Sequence, residues 1–105
     1  MVEYEQGSDI RLYTTWRTHA GEEADVSSGI VTISHIWGSE ATVDVGEQAL
    51  TLLSGSTFYY DWNIPAGADK TTYNARYIGT YSTGEVVVGG EDFLVIPRRF
   101  YDRKG

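Results

Sequence analysis

Phe58-Tyr59-Tyr60-Asp61-Trp62-Asn63-Ile64-Pro65-Ala66-Gly67, with Thr72-Tyr73-Asn74-Ala75-Arg76-Tyr77 just beyond it, is the stretch whose reading decides the fold. Side chains on an extended chain alternate between its faces. Phe58, Tyr60, Trp62 and Ile64 therefore share one face, and Thr57, Tyr59, Asp61 and Asn63 the other. Pro65 has no N–H for a ladder and stops the strand. A second alternating run opens at Tyr73, with Tyr73, Ala75 and Tyr77 on one side. Strand, corner and strand led by a tyrosine is how a two-sheet sandwich crosses between its layers. The tyrosine's hydroxyl is expected to bond backbone near Gly67 or Ala68.

Outward from this passage the chain continues as strands, with no convincing helix. Val2 to Glu5 is short and acidic, as an edge strand is. Asp9 to Thr18 carries Ile10, Leu12, Thr14 and Trp16 on one face and Arg11, Tyr13, Thr15 and Arg17 on the other. After an acidic loop over residues 19–25, Gly29 to Trp37 sets Val31, Ile33, His35 and Trp37 on one face, while Ile30, Thr32, Ser34 and Ile36 form a half-apolar opposite face. Ala41 to Val45 reads as a short strand, and residues 49–53 as a strand or one helical turn. Tyr73 to Tyr81 and Glu85 to Ile96 are joined through Ser82-Thr83-Gly84, whose glycine supplies a hairpin's positive φ. Gly89-Gly90 suggests a bulge in the last strand. The pattern predicts an all-β sandwich of seven or eight antiparallel strands over residues 1–96, followed at 97–105 by a basic, aromatic arm or linker.

A chain of 105 residues suits one domain. Without cysteine it has no disulfide, thiol nucleophile or zinc-thiolate site. Eight basic residues against 15 acidic ones give a net charge of −7, which opposes the phosphate neutralisation that nucleic-acid binding requires. No apolar run is long enough for a membrane span, and Met-Val-Glu-Tyr-Glu is not a signal peptide.

The cues Gly7-x-Asp9, Val31-x-Ile33, Trp37-Gly38, Tyr60-x-Trp62-x-Ile64-Pro65, Gly67, Tyr73-x-Ala75 and Phe93-x-Val95 resemble the immunoglobulin-like modules of phage virion proteins (tail, baseplate and capsid decoration) and of bacterial surface proteins. The resemblance spans nearly the whole chain and rests on core and turn residues, so it speaks first to fold. It implies a spacer, decoration or adhesive role, in a virion or otherwise at a cell surface. A start at Met1 and a Pro-Arg-Arg tail depart from tandem adhesin repeats and favour a small virion component.

The chemistry-bearing residues point the same way. No GxSxG elbow, HExxH, Walker loop or dinucleotide fingerprint is present, and Asp61 and Glu91 have no defined separation, so no catalytic residue, metal or cofactor is expected. His35 alone on a strand reads as a structural residue, and Glu22, Glu23 and Asp25 match no calcium loop. Trp16, Trp37, Trp62, Tyr60, Tyr73 and Tyr77 are assigned to the core.

Two surfaces remain as candidates for interaction. Arg11, Tyr13, Arg17, Tyr59, Asp61 and Asn63 share the outward side of two neighbouring strands, an aromatic and polar patch suited to a protein partner or a glycan, or simply a cross-strand stabilising set. Arg98, Arg99, Phe100, Tyr101, Arg103 and Lys104 make a cationic, aromatic arm on an anionic body, suited to docking on other subunits or on a second copy of the chain.

Overall fold

Alternation becomes architecture in the computed structural model, which describes residues 1–17 and 26–98. Eight strands form: β1 (Val2–Glu5), β2 (Asp9–Thr15), β3 (Val26–Trp37), β4 (Glu40–Ala49), β5 (Thr51–Ser54), β6 (Thr57–Asn63), β7 (Thr72–Tyr81) and β8 (Val86–Ile96). They make a five-stranded sheet in the order β1-β8-β7-β3-β4 and a three-stranded sheet in the order β2-β6-β5. All neighbours are antiparallel except β1, which runs parallel to β8. No helix occurs among the described residues.

The inward faces meet as the period of two demands. Ile10, Leu12, Trp16 and Phe58 come from one layer and Val31, Ile33, Tyr73, Ala75, Tyr77, Phe93 and Val95 from the other. Burying one such aliphatic or aromatic side chain contributes about 1.5–3 kcal/mol. An aromatic cluster forms at the centre: Tyr73 stacks on Phe93 at 5.8 Å, and Trp62 meets both rings at 6.1 and 6.3 Å. Ile64 closes the corner and is fully buried; its N–H donates to Ser8 O at 2.9 Å, binding the corner to the β1–β2 turn.

Several expectations need correction. Gly89 and Gly90 produce no bulge, because the β7–β8 register runs unbroken through them. Glycine is there for room: a Cβ on Gly90 would lie 2.9 Å from Ala75 O, and one on Gly89 would lie 3.3 Å from the Trp16 ring. The irregularity falls instead between β3 and β4, where the register shifts twice around Ile33. The strand expected to end at Val45 therefore continues to Ala49, with Glu47 at a positive φ of 25°. Residues 51–54 resolve as a strand. Strand β2 ends at Thr15, and Thr18 lies outside the described residues.

Trp37 is not in the core. Its parity matches His35, but β3 ends there, beyond the opposing layer, and the indole is half exposed. Tyr60 and Trp62 are partly buried against the core. The Tyr73 hydroxyl, expected to bond backbone at the corner, is buried and lies against the backbone of Asp69 there, without a well-formed hydrogen bond. Gln6 Nε2 donates to Ala68 O instead.

Candidate functional site

The outward face of the three-stranded sheet is built as its alternation requires. The β2–β6 register places Asp9 opposite Asn63, Arg11 opposite Asp61, Tyr13 opposite Tyr59 and Thr15 opposite Thr57. These pairs satisfy one another. Arg11 donates to both Asp61 oxygens, Nε–Oδ1 at 2.6 Å and Nη2–Oδ2 at 2.9 Å. Asn63 donates to Asp9 at 2.7 Å, and the two threonine hydroxyls are 2.9 Å apart. The hydrogen bond from Arg11 holds the Asp61 carboxyl below its ordinary pKa, and Asp61 raises that of Arg11. The guanidinium also lies 4.0 Å from the centre of the Tyr59 ring. One stacking face of Tyr59 is thus already covered by a cation that Asp61 pins in place, while Tyr13 stays half exposed.

Arg17 is exposed at the end of this layer. Arg98 is exposed and reaches the β1–β2 turn, where a Cβ on Gly7 would come within 3.0 Å of its Nη1. Arg99, Phe100, Tyr101, Arg103 and Lys104 lie outside the described residues, as do His19, Glu22, Glu23 and Asp25. Asp61 and Glu91 do not form a pair: Asp61 faces outward from β6, whereas Glu91 on β8 accepts a 2.6 Å hydrogen bond from the Tyr77 hydroxyl. Burial, then that bond to Glu91, raises the pKa of Tyr77.

His35 is the centre of a cluster that strand periodicity alone does not show. It is buried, and its Nδ1 lies 2.7 Å from Asp44 Oδ2 and its Nε2 2.7 Å from Asp69 Oδ2. A neutral imidazole donates from one nitrogen only, so both contacts are satisfied by the imidazolium. Burial opposes that charge, but the hydrogen bonds to Asp44 and Asp69 outweigh it and the pKa is raised. The ring stacks on Tyr73 at 4.2 Å. Burial pushes the Tyr73 hydroxyl up to about 12, helped by the charges of Asp44 and Asp69.

Asp44 reaches this place because of the β3–β4 irregularity. Ser34 pairs with Val43 and Ile33 with Val45, which leaves Asp44 as the extra residue, and a bulge re-aims its side chain. No composition or spacing cue marks that bulge, which is why the cluster escaped sequence reasoning. The two carboxylates sit on opposite ring nitrogens and do not converge on a common point. Among the described residues no group of three or more His, Asp and Glu is disposed to hold a metal ion.

The third feature is a groove of about 520 Å³ on the outer face of the five-stranded sheet. Ser34 and Ile36 of β3, Ala41 and Val43 of β4, Asn74 of β7 and Asp92 of β8 line it. Ile36 is 63% exposed and Val43 64% exposed, values high for aliphatic side chains two residues apart across one hairpin. Asn74 donates to Asp92 at 2.9 Å along the polar rim. The half-apolar face of β3 was the sequence signal for this patch. Its extension onto β4 depended on the register.

No protein-family model matches the chain. No curated protein matches it either. Among solved structures, murine CRIg superposes with a TM-score of 0.54 at 11% sequence identity, covering 93% of this chain and 92% of that one. At that identity the likeness is one of fold, and with eight strands in two sheets it makes the architecture an immunoglobulin-like sandwich.

Proposed function

We propose that this chain is a non-catalytic interaction module that packs against a neighbouring protein subunit through the outer face of its five-stranded sheet. The observation that carries the reading is the exposed Ile36–Val43 patch and the groove beside it, ringed by Ser34, Asn74 and Asp92. Apolar side chains clustered within a polar rim are the anatomy of a protein contact surface. The setting we propose is a virion, in keeping with the resemblance to phage decoration and tail modules; a bacterial surface assembly is the other setting that resemblance admits. Support for a non-catalytic role comes from the pairing of the candidate groups: His35, Asp61 and Glu91 are each engaged by a neighbour.

Glycan recognition through Tyr13 and Tyr59 is the weaker reading, since Arg11 covers a Tyr59 face that a sugar ring would stack on. A photo-cross-linking residue at position 36, in the particle or cell that carries the chain, is expected to capture one protein neighbour; the same residue at position 13 is not. Equal yields from both faces, or none from position 36, rule out the sheet-face reading.

A further inference from the structure

Strand β8 is covered by β1 along part of its length only. Val2 to Glu5 pair with Phe93 to Ile96, and among the described residues no strand pairs with the outer edge of β8 from Val86 to Glu91. An uncovered edge presents alternate N–H and C=O groups to any extended segment. The other margins are defended by means proteins commonly use against strand addition. Strand β4 is bulged and carries Glu40, Asp44 and Glu47; β5 has four residues; β1 is short and carries two glutamates; β2, the edge of the other sheet, carries Asp9 and Arg11. Val86-Val87-Val88-Gly89-Gly90 has no charge, proline or bulge, and Val86 and Val88 are 64% and 52% exposed.

Two copies joining by this edge about a twofold axis centred on Val88 would set Glu85 of each opposite Glu91 of the other, and like charges facing across a ladder are destabilising. The edge thus favours a cationic strand. The chain contains one. Residues 97–105 hold four of the eight basic residues and one of the 15 acidic ones, so they carry +3 and leave −10 on residues 1–96. Phe100 and Tyr101 at the centre of that segment have high strand propensity. The segment leaves the Ile96 end of β8, about 17 Å along an extended strand from the near end of the free edge at Glu91, and β1 occupies the intervening edge, so more than half of the arm would be spent in reaching it. Its own free edge is therefore the less accessible target.

We propose that the C-terminal arm of one copy adds as a strand to the Val86–Glu91 edge of a second copy. This contact is independent of the sheet-face reading above. Arm and edge are different surfaces, so the contact is heterologous: it closes as a reciprocal arm exchange or a ring, or extends as a filament, according to the rotation between copies. Its charge complementarity makes it weaken as salt is added.

Light scattering of the full chain over a range of concentrations tests it, with two single-defect variants. One blocks the edge with Val88→Lys, or with Val86→Lys if the first does not retain the wild-type melting temperature. The other reverses the arm with Arg99→Glu, Arg103→Glu and Lys104→Glu. Wild type is expected to rise from the monomer mass to that of a dimer or larger assembly as concentration rises, and each variant alone to stay monomeric. Mixed, they retain one intact arm and one intact edge on different chains, and should form a one-to-one dimer that grows no further. A wild type that stays monomeric throughout, variants that associate as wild type does, or a mixture that gives no dimer while wild type assembles, each overturns the proposal.

Discussion

Removing the His35 imidazole should destabilise the protein by an amount that depends on pH in one direction only. His35→Ala deletes two 2.7 Å contacts and the stack on Tyr73. Taking one partner from a buried ion pair costs about 3–5 kcal/mol. Here the Asp44 side chain is 16% exposed and Asp69 39%, so water regains part of both carboxylates, and about 3 kcal/mol is the expected loss at pH 6. For a domain this small, that corresponds to a fall of roughly 12–24 °C in melting temperature. The folded pKa of His35 lies above its ordinary 6.5. The stabilisation is therefore fully present below pH 6.5 and disappears as pH rises through the folded value. Urea unfolding followed by tryptophan fluorescence, on wild type and variant from pH 6 to pH 9, should show a difference that shrinks toward the alkaline end. A gap that is constant or widens with pH would mean that His35 is not held as an imidazolium between the two acids.

Four further substitutions probe other parts of the molecule. Tyr73→Phe removes a buried hydroxyl that makes no well-formed hydrogen bond and is expected to raise stability by about 1 kcal/mol in a urea titration; a loss of similar size would mean the hydroxyl is hydrogen-bonded to the Asp69 backbone in solution. Gly90→Ala forces a Cβ to within 2.9 Å of Ala75 O, and should cost about 2 kcal/mol by the same measurement. Gly67→Ala has open space and no positive φ, so its melting temperature should stay level or rise, by up to about 1 kcal/mol of stability. Arg11→Ala uncovers Tyr59 while leaving the core intact, so binding of a glycan array by this variant and not by wild type would revive sugar recognition on that face.

Much of this protein was legible in one dimension. The period of two from Ile10 to Trp16, from Val31 to His35 and from Tyr73 to Tyr77 named the inward face, because alternation follows from backbone geometry whatever the neighbours are. Pro65 and Gly84 marked a corner and a hairpin for equally local reasons, and Gly84 has the φ of 96° its turn requires. The cross-strand set of Arg11, Tyr13, Tyr59, Asp61 and Asn63 followed from the same periodicity once β2 and β6 were taken as neighbours.

Register, strand ends and bulges were decided only by tertiary structure, since each depends on where a second strand lies. Trp37 shared the parity of the core yet fell beyond its edge, and Gly89-Gly90 answered to the Trp16 ring and Ala75 O rather than to a break in their own strand. The extra residue that turned Asp44 toward His35, and the half-covered edge of β8, likewise arise from pairings between segments distant in sequence. A chain carries its own alternation, but what lies opposite each residue exists only once the sheets have formed.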